Sequence, residues 1–518
     1  MAEFYSAPKP IVLIVMDGVG VAPPGPGNAV TLADTPNLDK LWPKYPHGSL
    51  EAAGMAVGLP EGVDGNSEVG HMAIGTGRVI FQDLPRIDQK IVSGEFSRNT
   101  EIIKAIDFAK KNNGRIHITG LVGFGKVHSS FSHLEKLIEL IAQQNIGPDK
   151  LFVHAILDGR DSSPTAGLQV LTDLENELDR KRIGRIASFI GRYFAMDRDQ
   201  RWDRTKIAYD MIVKAQGEKT NDFRRTLQKS YQKGLTDEYM TAHIIPGFNG
   251  ELATVKSGDT IINFNFRPDR ALQITRAFEE ESFQGFEREK IESIYYLGFS
   301  DYKKGFPSHI AFPQDRVLDS LGKVLSENRL TQLRIAESEK FPHVTYFFDG
   351  GQQVIYPGED AIEVPSPKNV STYDQTPEMS SKKIVEVFLK KMEEKKYDFA
   401  LINFAPPDMV AHTGVLDAAI KAVEAVDWAI GEVTKYVISK KGLIILTSDH
   451  GNCEELINLR TGEVDTKHSS NMVPILVAGK EFKYKELQLG RLSDVAPSIL
   501  TMFGINSPAE MTGRSLLD

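Results

Sequence analysis

The segment PIVLIVM, residues 10–16, is a continuous apolar run that ends at Asp17 and Gly18. Such a run is typical of a strand buried on both faces, as in parallel sheets. The same arrangement recurs along the chain, with polar or charged residues directly after each apolar run. Further runs of this kind span residues 115–121, 151–157, 185–190, 260–266, 399–404 and 442–448.

Amphipathic patterns lie between these runs. Leucines recur at helical spacing over residues 168–178, and apolar residues do so over 420–437. Ser132 and Glu135 have the spacing of a capping box, which predicts a helix start. Strands that alternate with helices predict an α/β fold, in which ligands bind beyond the carboxyl ends of the strands.

Composition limits the function classes. The chain has 518 residues, 41% hydrophobic and 25% charged, as expected for a globular protein of more than one domain. Its net charge of −9 argues against a nucleic-acid or membrane partner. One cysteine, Cys453, excludes an intrachain disulfide, and the first residues lack the apolar segment of a signal peptide. We therefore expect a cytoplasmic protein.

The chemistry-bearing residues fall into two sets. Asp and His follow the strands in the first and last parts of the chain, whereas Arg follows those between about residues 115 and 270. This separation predicts two α/β domains, one discontinuous (residues 1–82 and 314–518) and one inserted (residues 86–311). The crossings are expected near QDLP (82–85) and FPQD (312–315).

The acidic and imidazole set is a candidate metal site. It comprises Asp17, Asp408, His412, Asp449, His450 and His468. A single Asp after a strand is usually a cap and a single loop His is usually at the surface, but the D-x-x-x-H and D-H pairs together favour metal binding. Carboxylate and imidazole without thiolate suit Mn²⁺, Zn²⁺ or Co²⁺, and this number of ligands suggests two ions.

Ser67 lies in GNSEVGH, residues 65–71. It is either a helix N-cap or, if this loop meets the acidic set, a metal-activated nucleophile. His71 is either a further ligand or a structural residue.

The arginine set is a candidate anion pocket, because guanidinium groups bind carboxylate and phosphate bidentately. It comprises Arg160, Arg192, Arg198, Arg267 and Arg270, whereas isolated arginines are usually surface salt-bridge partners. His128 and Asp161 lie at the same predicted edge and could transfer protons. Lys340 is either a phosphate contact or a surface lysine.

Seven motifs together resemble a known family. They are GNSEVGH (65–71), HSS (128–130), DGRD (158–161), GRYFAMDRD (191–199), NFRPDR (265–270), PPDMVAHTG (406–414) and TSDHGN (447–452). Over nearly its whole length the chain resembles the cofactor-independent phosphoglycerate mutases, of the alkaline-phosphatase-like metalloenzyme superfamily. The resemblance implies a metal-binding phosphatase domain with an inserted substrate-binding transferase domain.

The resemblance also implies an isomerase, an intramolecular phosphotransferase of glycolysis and gluconeogenesis that interconverts 3-phosphoglycerate and 2-phosphoglycerate. Such an enzyme is a monomer with two Mn²⁺ ions, for which Co²⁺, Zn²⁺ or Mg²⁺ could substitute, and needs no 2,3-bisphosphoglycerate. One ion would be held by Asp408, His412 and His468, and the other by Asp17, Ser67, Asp449 and His450. Ser67 would carry the phosphoryl group as phosphoserine. Arg267, Arg270 and Lys340 would hold phosphate, while His128, Arg160, Asp161, Arg192 and Arg198 would hold glycerate, with Asp161 and His128 as catalytic groups.

Some positions depart from the family pattern, among them Pro406, next to the metal motif, and Asp349. Cys453, beside Asp449 and His450, is either a catalytic or metal-ligating residue or a small buried filler. The alternative function is another metal-dependent phosphomutase or a phosphomonoesterase of the same superfamily, although a plain hydrolase needs no clamp for the dephosphorylated acid. A sulfatase would need a C-x-P-x-R signature, which Cys453 does not begin.

Overall fold

A computed structural model describes residues 8–314, 317–458, 461–480, 482 and 486–517. The chain forms two compact units. The split unit consists of Met1–Gln82 and Asp315–Asp518, and the inserted unit consists of Asp83–Gln314. The assignment of metal binding to the split unit and of substrate binding to the inserted unit remains a prediction.

The strands alternate with helices for most of the chain, as the sequence predicts. In chain order the strands are β1 (Ile11–Met16), β2 (His47–Glu51), β3 (Ile116–Val122), β4 (Leu151–Leu157), β5 (Arg185–Gly191), β6 (Glu218–Lys219), β7 (His243–Ile244), β8 (Thr260–Asn263), β9 (Tyr295–Gly298), β10 (His309–Ile310), β11 (Gln332–Glu337), β12 (Glu359–Val364), β13 (Phe399–Phe404), β14 (Leu443–Thr447), β15 (Val473–Ala478) and β16 (Gly490–Arg491). The helices are α1 (Ala29–Leu32), α2 (Pro36–Leu41), α3 (Ser67–Thr76), α4 (Asp83–Val92), α5 (Thr100–Lys111), α6 (Phe131–Gln143), α7 (Gly167–Lys181), α8 (Arg192–Ala195), α9 (Trp202–Lys214), α10 (Phe223–Gln232), α11 (Pro268–Glu279), α12 (Leu321–Glu327), α13 (Ser381–Glu394), α14 (Pro406–Ala411), α15 (Leu416–Ser439) and α16 (Val495–Phe503).

The sheet of the split unit has the strand order β12-β11-β13-β1-β14-β15-β2-β16. At its centre β1 pairs in parallel with β13 and β14, and every residue of β1 is buried. β15 runs antiparallel to both β14 and β2, so the sheet is mixed rather than wholly parallel. The sequence gives no signal for β2, because Leu50 alone among its residues is buried.

The sheet of the inserted unit has the order β10-β9-β8-β3-β4-β5-β7-β6. It is parallel except where β7 runs antiparallel to β5. β8 ends at Asn263, three residues before the predicted end at Phe266. The Phe266 N–H leaves the ladder and donates to the His128 backbone oxygen at 2.8 Å.

One predicted local feature needs correction. α6 begins at Phe131 with Ser130 as its N-cap, so Ser132 lies in the first turn and the predicted capping box is wrong. The chain passes from the split unit to the inserted unit between Gln82 and Asp83, inside the stretch predicted for the crossing, and α4 begins there at Asp83. Among the described helices none is both long enough and apolar enough to cross a lipid bilayer.

Arg334 lies in β11, next to the terminal strand β12 of the split unit's sheet. Its side chain is fully buried and forms an ion pair there. Its guanidinium donates to Asp349 Oδ2 at 2.6 Å and Oδ1 at 3.2 Å, and lies 3.1 Å from Glu359 Oε2. Burial raises the pKa of Glu359, and Arg334 opposes that rise. Asp349, one of the positions that depart from the family pattern, is therefore the hydrogen-bonded partner of the buried Arg334 guanidinium.

Arg334→Met should lower the free energy of unfolding of the split unit by about 3–5 kcal/mol, because it leaves buried carboxylates without their cation. Urea denaturation measures the change. The matched surface variant Lys383→Met breaks an exposed pair with Glu386 and should cost less than about 1 kcal/mol. Equal losses in the two variants would contradict this description of the pair.

Candidate metal centre and arginine cluster

Three neighbouring parallel strands of the split unit end at one edge of its sheet, and acidic residues follow each of them. Asp17 follows β1, Asp408 lies in α14 just after β13, and Asp449 and His450 follow β14. All four side chains are buried. The strand order β13-β1-β14 brings them together at the edge where open α/β sheets bind ligands.

Ser67 joins this edge as the first residue of α3. The cap of this helix is Asn66, whose side chain accepts from the Val69 N–H at 3.1 Å. The Ser67 hydroxyl has no capping role and lies 2.9 Å from His450 Nε2 and 3.3 Å from Asp17 Oδ1. The N-terminus of a helix favours negative charge at this hydroxyl.

Asp408, His412 and His468 form one group of possible ligands. Asp408 Oδ1 lies 3.3 Å from Nε2 of each histidine, and the two Nε2 atoms are 3.1 Å apart. The Nδ1 of each ring contacts a backbone oxygen, that of Thr466 or Gly65. Because a carbonyl oxygen only accepts, each Nδ1 donates, so that in the neutral, metal-binding form of the two rings the Nε2 lone pairs would point towards each other. Lone pairs that converge in this way fit a metal ion, and the Nδ1 bonds would orient its ligands.

Asp17, Asp449 and His450 form a second group beside Ser67. His450 Nδ1 lies 3.1 Å from the Gly451 backbone oxygen, and its Nε2 lies 3.5 Å from Asp17 Oδ1 and 3.7 Å from Asp449 Oδ2. Asp449 Oδ2 is buried and lies 3.1 Å from His71 Nδ1, a nitrogen that is also 2.9 Å from the Ser67 backbone oxygen. A buried carboxylate oxygen that shares its donor in this way retains the capacity to bind an ion, which fits a ligand position.

His71 lies behind this second group. Its Nδ1 is 2.9 Å from the Ser67 backbone oxygen and 3.1 Å from Asp449 Oδ2, and its Nε2 is 3.1 Å from Asn403 Nδ2. Donation by Nδ1 and acceptance by Nε2 use both ring nitrogens, which favours the structural role for His71. Asp17, His71 and Asp449 are nevertheless close enough to share an ion.

Lys340 is not a surface lysine, since its side chain is only 5% exposed. Its Nζ lies 2.6 Å from Asp17 Oδ1, 2.7 Å from Ser67 Oγ and 2.7 Å from Asp408 Oδ2. Burial acts to lower the pKa of Lys340, but the Asp17 and Asp408 carboxylates raise it well above its usual value. The ammonium group therefore balances the negative charge of this edge.

The carboxylates also control the protonation of the histidines. Burial acts to lower the pKa of His450, but Asp449, Asp408 and Asp17 raise it to about 10. The hydrogen bond to Asp408 raises the pKa of His412. In return, and against the effect of burial, the positive charges at Lys340 and His450 hold the pKa of Asp408 well below its usual range.

The inserted unit holds the arginine cluster at the corresponding ends of its strands. Its members are Arg160 after β4, Arg192 at the start of α8, Arg198 after α8, Arg267 directly before α11 and Arg270 in α11. Burial lowers the pKa of Arg270, and Arg192, Arg198 and Arg160 lower it further, so these guanidinium groups lie within electrostatic reach of one another. Arg160, Arg198 and Arg267 are half-exposed, which leaves their forks open to an anion.

Asp158 and Asp269 organise this cluster. Asp158 Oδ1 accepts from Arg192 Nη1 at 2.6 Å and from the Asp161 N–H at 3.0 Å, and so holds the DGRD loop in place. Asp269 Oδ2 accepts from Arg198 at 2.9 Å, and its Oδ1 lies 3.1 Å from Arg267 Nε. The cluster therefore fixes its arginines with fewer carboxylates than guanidinium groups.

His128 is buried beside the same loop, with Nε2 3.8 Å from Asp161 Oδ2 and Nδ1 3.6 Å from Asp269 Oδ1. Burial and the Arg192 charge lower the pKa of His128 to about 4. The imidazole is therefore neutral at physiological pH. It can donate or accept one hydrogen bond from a ligand.

The structure thus brings each predicted residue into one of two clusters, but sequence reasoning missed several of their neighbours. Asn403 donates to Asp17 Oδ2 at 2.7 Å, and Asn452 donates to Asp408 Oδ1 at 2.8 Å. Asn403 is the polar residue of the buried run FALINF, and the other missed residues (Asn452, Asp158 and Asp269) lie inside quoted motifs. An amide within an apolar strand is the signal that could have identified Asn403.

Cys453 is a small buried filler, which agrees with the second of the two interpretations of this residue. Its side chain has no exposed surface and packs in a hydrophobic core with Val19 and Leu456. Burial raises the pKa of the thiol well above its usual value. A thiol in this environment stays protonated.

A buried edge of carboxylates and imidazoles on an α/β sheet is the arrangement of a metalloenzyme. A family model described as "Metalloenzyme superfamily" matches residues 9–507. The chain is 44% identical over 512 residues to a 2,3-bisphosphoglycerate-independent phosphoglycerate mutase of Clostridium perfringens, covering 98% of this chain and 99% of that protein. It is 42% identical over 510 residues to the protein of the same name from Clostridium beijerinckii, with the same coverage.

Among solved structures, that of the Leishmania mexicana phosphoglycerate mutase matches with a TM-score of 0.58 and 29% identity, covering 99% of this chain and 98% of that one. The chain therefore belongs to the family of 2,3-bisphosphoglycerate-independent phosphoglycerate mutases, within the metalloenzyme superfamily.

Metal binding at the split unit should release protons at neutral pH. An imidazole binds metal only when neutral, and the raised pKa values keep His450, and in part His412, protonated in the metal-free protein. The apparent affinity should therefore rise with pH between pH 6 and 9. Calorimetric titration with Mn²⁺ in buffers of different ionisation enthalpy should show about one or two protons released per chain.

His450→Gln should remove part of this release, whereas His309→Gln in the inserted unit should leave it unchanged. Binding without proton release, or an affinity independent of pH, would contradict the assignment.

Proposed function

We propose that this protein interconverts 3-phosphoglycerate and 2-phosphoglycerate through a phosphoserine at Ser67, without 2,3-bisphosphoglycerate. The observation that carries the proposal is the buried Ser67 hydroxyl, which lies 2.9 Å from His450 Nε2 and 2.7 Å from Lys340 Nζ at the start of α3. A hydroxyl among metal-type ligands at a helix N-terminus is suited to accept a phosphoryl group. The names of the Clostridium relatives support the same reaction.

The ligand groups fit two divalent ions. We assign one Mn²⁺ to Asp408, His412 and His468 and the other to Asp17, Ser67, Asp449 and His450, with Co²⁺, Zn²⁺ or Mg²⁺ as substitutes. Bound ions would lower the pKa of the serine hydroxyl and offset the charge of the phosphate. The Leishmania relative was studied at low cobalt concentration, which supports a transition-metal site.

The substrate is held by cations. Lys340, Arg267 and Arg270 would bind the phosphate, and His128, Arg160, Asp161, Arg192 and Arg198 would bind the glycerate. The planar guanidinium of Arg192, held by Asp158 and Asp161, is oriented before a substrate carboxylate arrives. Preorganisation of this kind lowers the cost of fixing the substrate.

The reaction then needs two displacements. Ser67 Oγ attacks phosphorus and gives up its hydroxyl proton, the P–O bond to the substrate breaks, and the leaving glycerate oxygen takes up one proton, with Asp161 and the neutral His128 imidazole as the groups that relay it. The retained glycerate reorients, its other hydroxyl gives up its proton through the same groups as its oxygen attacks the phosphoserine, the bond between phosphorus and Ser67 Oγ breaks, and Ser67 takes a proton back. Ser67 is released in its original state, so the phosphoryl group never leaves the protein.

We further propose that the protein acts as a monomer in the cytoplasm, with phosphoglycerate as its partner and no nucleic acid or membrane. The net charge of −9 supports the exclusion of polyanionic partners. The single cysteine suits a reducing compartment.

Purified protein given Mn²⁺ and 3-phosphoglycerate, with no bisphosphoglycerate added, should form 2-phosphoglycerate, because Ser67 itself stores the phosphoryl group. Phosphorus NMR follows substrate and product together. Release of inorganic phosphate instead of 2-phosphoglycerate would favour the phosphomonoesterase alternative.

Ser67→Ala should keep the fold and lose activity by roughly 10⁴-fold or more, as nucleophile deletions do. The exposed variant Ser371→Ala is the control and should be as active as wild type. A Ser67→Ala enzyme that retains a tenth of the wild-type rate would remove Ser67 from this role. Circular dichroism checks that both variants are folded.

A further inference from the structure

Glu454 is a buried carboxylate that the proposed reaction does not use. It lies five residues beyond Asp449, and its side chain accepts four hydrogen bonds. Oε2 accepts from the Gly20 N–H at 2.9 Å and from the Asn452 N–H at 2.8 Å. Oε1 accepts from Asn471 Nδ2 at 3.0 Å and from the Ser469 hydroxyl. Four donors fill the lone pairs of an ionised carboxylate.

The donors come from separate segments that carry the proposed metal ligands. Gly20 is three residues beyond Asp17, Asn452 is two beyond His450, and Ser469 is next to His468. Asn452 also donates to Asp408 Oδ1 at 2.8 Å. One carboxylate therefore joins the segments that hold both ligand groups.

The backbone is shaped to admit this carboxylate. A Cβ added at Gly20 or Gly451 would overlap Glu454, and at Gly451 it would also overlap the Ser469 hydroxyl. Two glycines thus give Glu454 the space from which it reaches all of its donors.

We propose that Glu454 is a positioning residue that fixes the relative placement of the metal ligands through these hydrogen bonds. This inference rests on the proposed metal site. Partners that orient metal ligands typically change metal affinity by about 10- to 100-fold when they are removed. The substrate-binding arginines belong to the inserted unit, so the effect of Glu454 should fall on metal binding rather than on the KM for phosphoglycerate.

Glu454→Gln keeps the shape but replaces one acceptor oxygen by a donor, and so should weaken Mn²⁺ binding about 10- to 100-fold in a calorimetric titration of the full chain. Its kcat should recover towards the wild-type value at saturating Mn²⁺, with a KM for 3-phosphoglycerate within about twofold. Glu455→Gln is the matched control, because Glu455 is exposed and also accepts from Asn471 Nδ2, at 3.1 Å. It should bind Mn²⁺ as wild type does.

Ser469→Ala removes one hydrogen-bond donor to Glu454 Oε1 and tests the same network if Glu454→Gln does not fold. This variant should weaken Mn²⁺ binding about threefold or more. A folded Glu454→Gln with unchanged Mn²⁺ affinity, or, if that variant fails to fold, a Ser469→Ala with unchanged affinity, would overturn the inference. An equal loss in Glu455→Gln would do the same. If the wild-type chain fails to bind Mn²⁺, the proposed metal site and this inference are both wrong. If the wild type binds Mn²⁺ and the variants bind it equally well, only the inference about Glu454 is wrong.

Discussion

The constraint on which the split unit depends is the burial of three carboxylates, Asp17, Asp408 and Asp449, at one sheet edge. Moving each such charge out of water costs several kcal/mol, and like charges at short range repel. This edge is stable only with positive charge among the carboxylates. Lys340 and a protonated His450 supply that charge here. A divalent ion would also supply positive charge at this edge, and unlike these side chains it would take part in catalysis.

The inserted unit has the opposite imbalance. Four carboxylates, those of Asp158, Asp161, Glu238 and Asp269, pair with arginines of a cluster that has five guanidinium groups, so the cluster keeps a surplus of positive charge in a chain whose net charge is −9. The neutral His128 imidazole adds a hydrogen-bonding group without a charge. Such a cluster is suited to a small polyanion.

The sequence predicted what local pattern determines. β1, β4 and β13 coincide with apolar runs because each strand is buried on both faces. β2 was not predicted, because Leu50 is its one buried residue and the strand therefore lacks an apolar pattern. The start of α6 was predicted wrongly, because the N-cap is Ser130 and not Ser132. The candidate ligands were found from motifs, but the contacts that decide their roles join residues hundreds of positions apart. The bond from Lys340 to Asp17 and the bond from Gly20 to Glu454 follow from tertiary packing alone.

Trapping the phosphorylated protein is the most direct test of Ser67 as the phosphoryl acceptor. Mn²⁺-loaded protein turning over 3-phosphoglycerate would be quenched in acid within milliseconds and digested, and the peptides would be read by mass spectrometry. A phosphate on the peptide that contains Ser67, absent from Ser67→Ala, is the expected result. Turnover with phosphate on another residue, or with Ser67 unmodified at every time point, would contradict it.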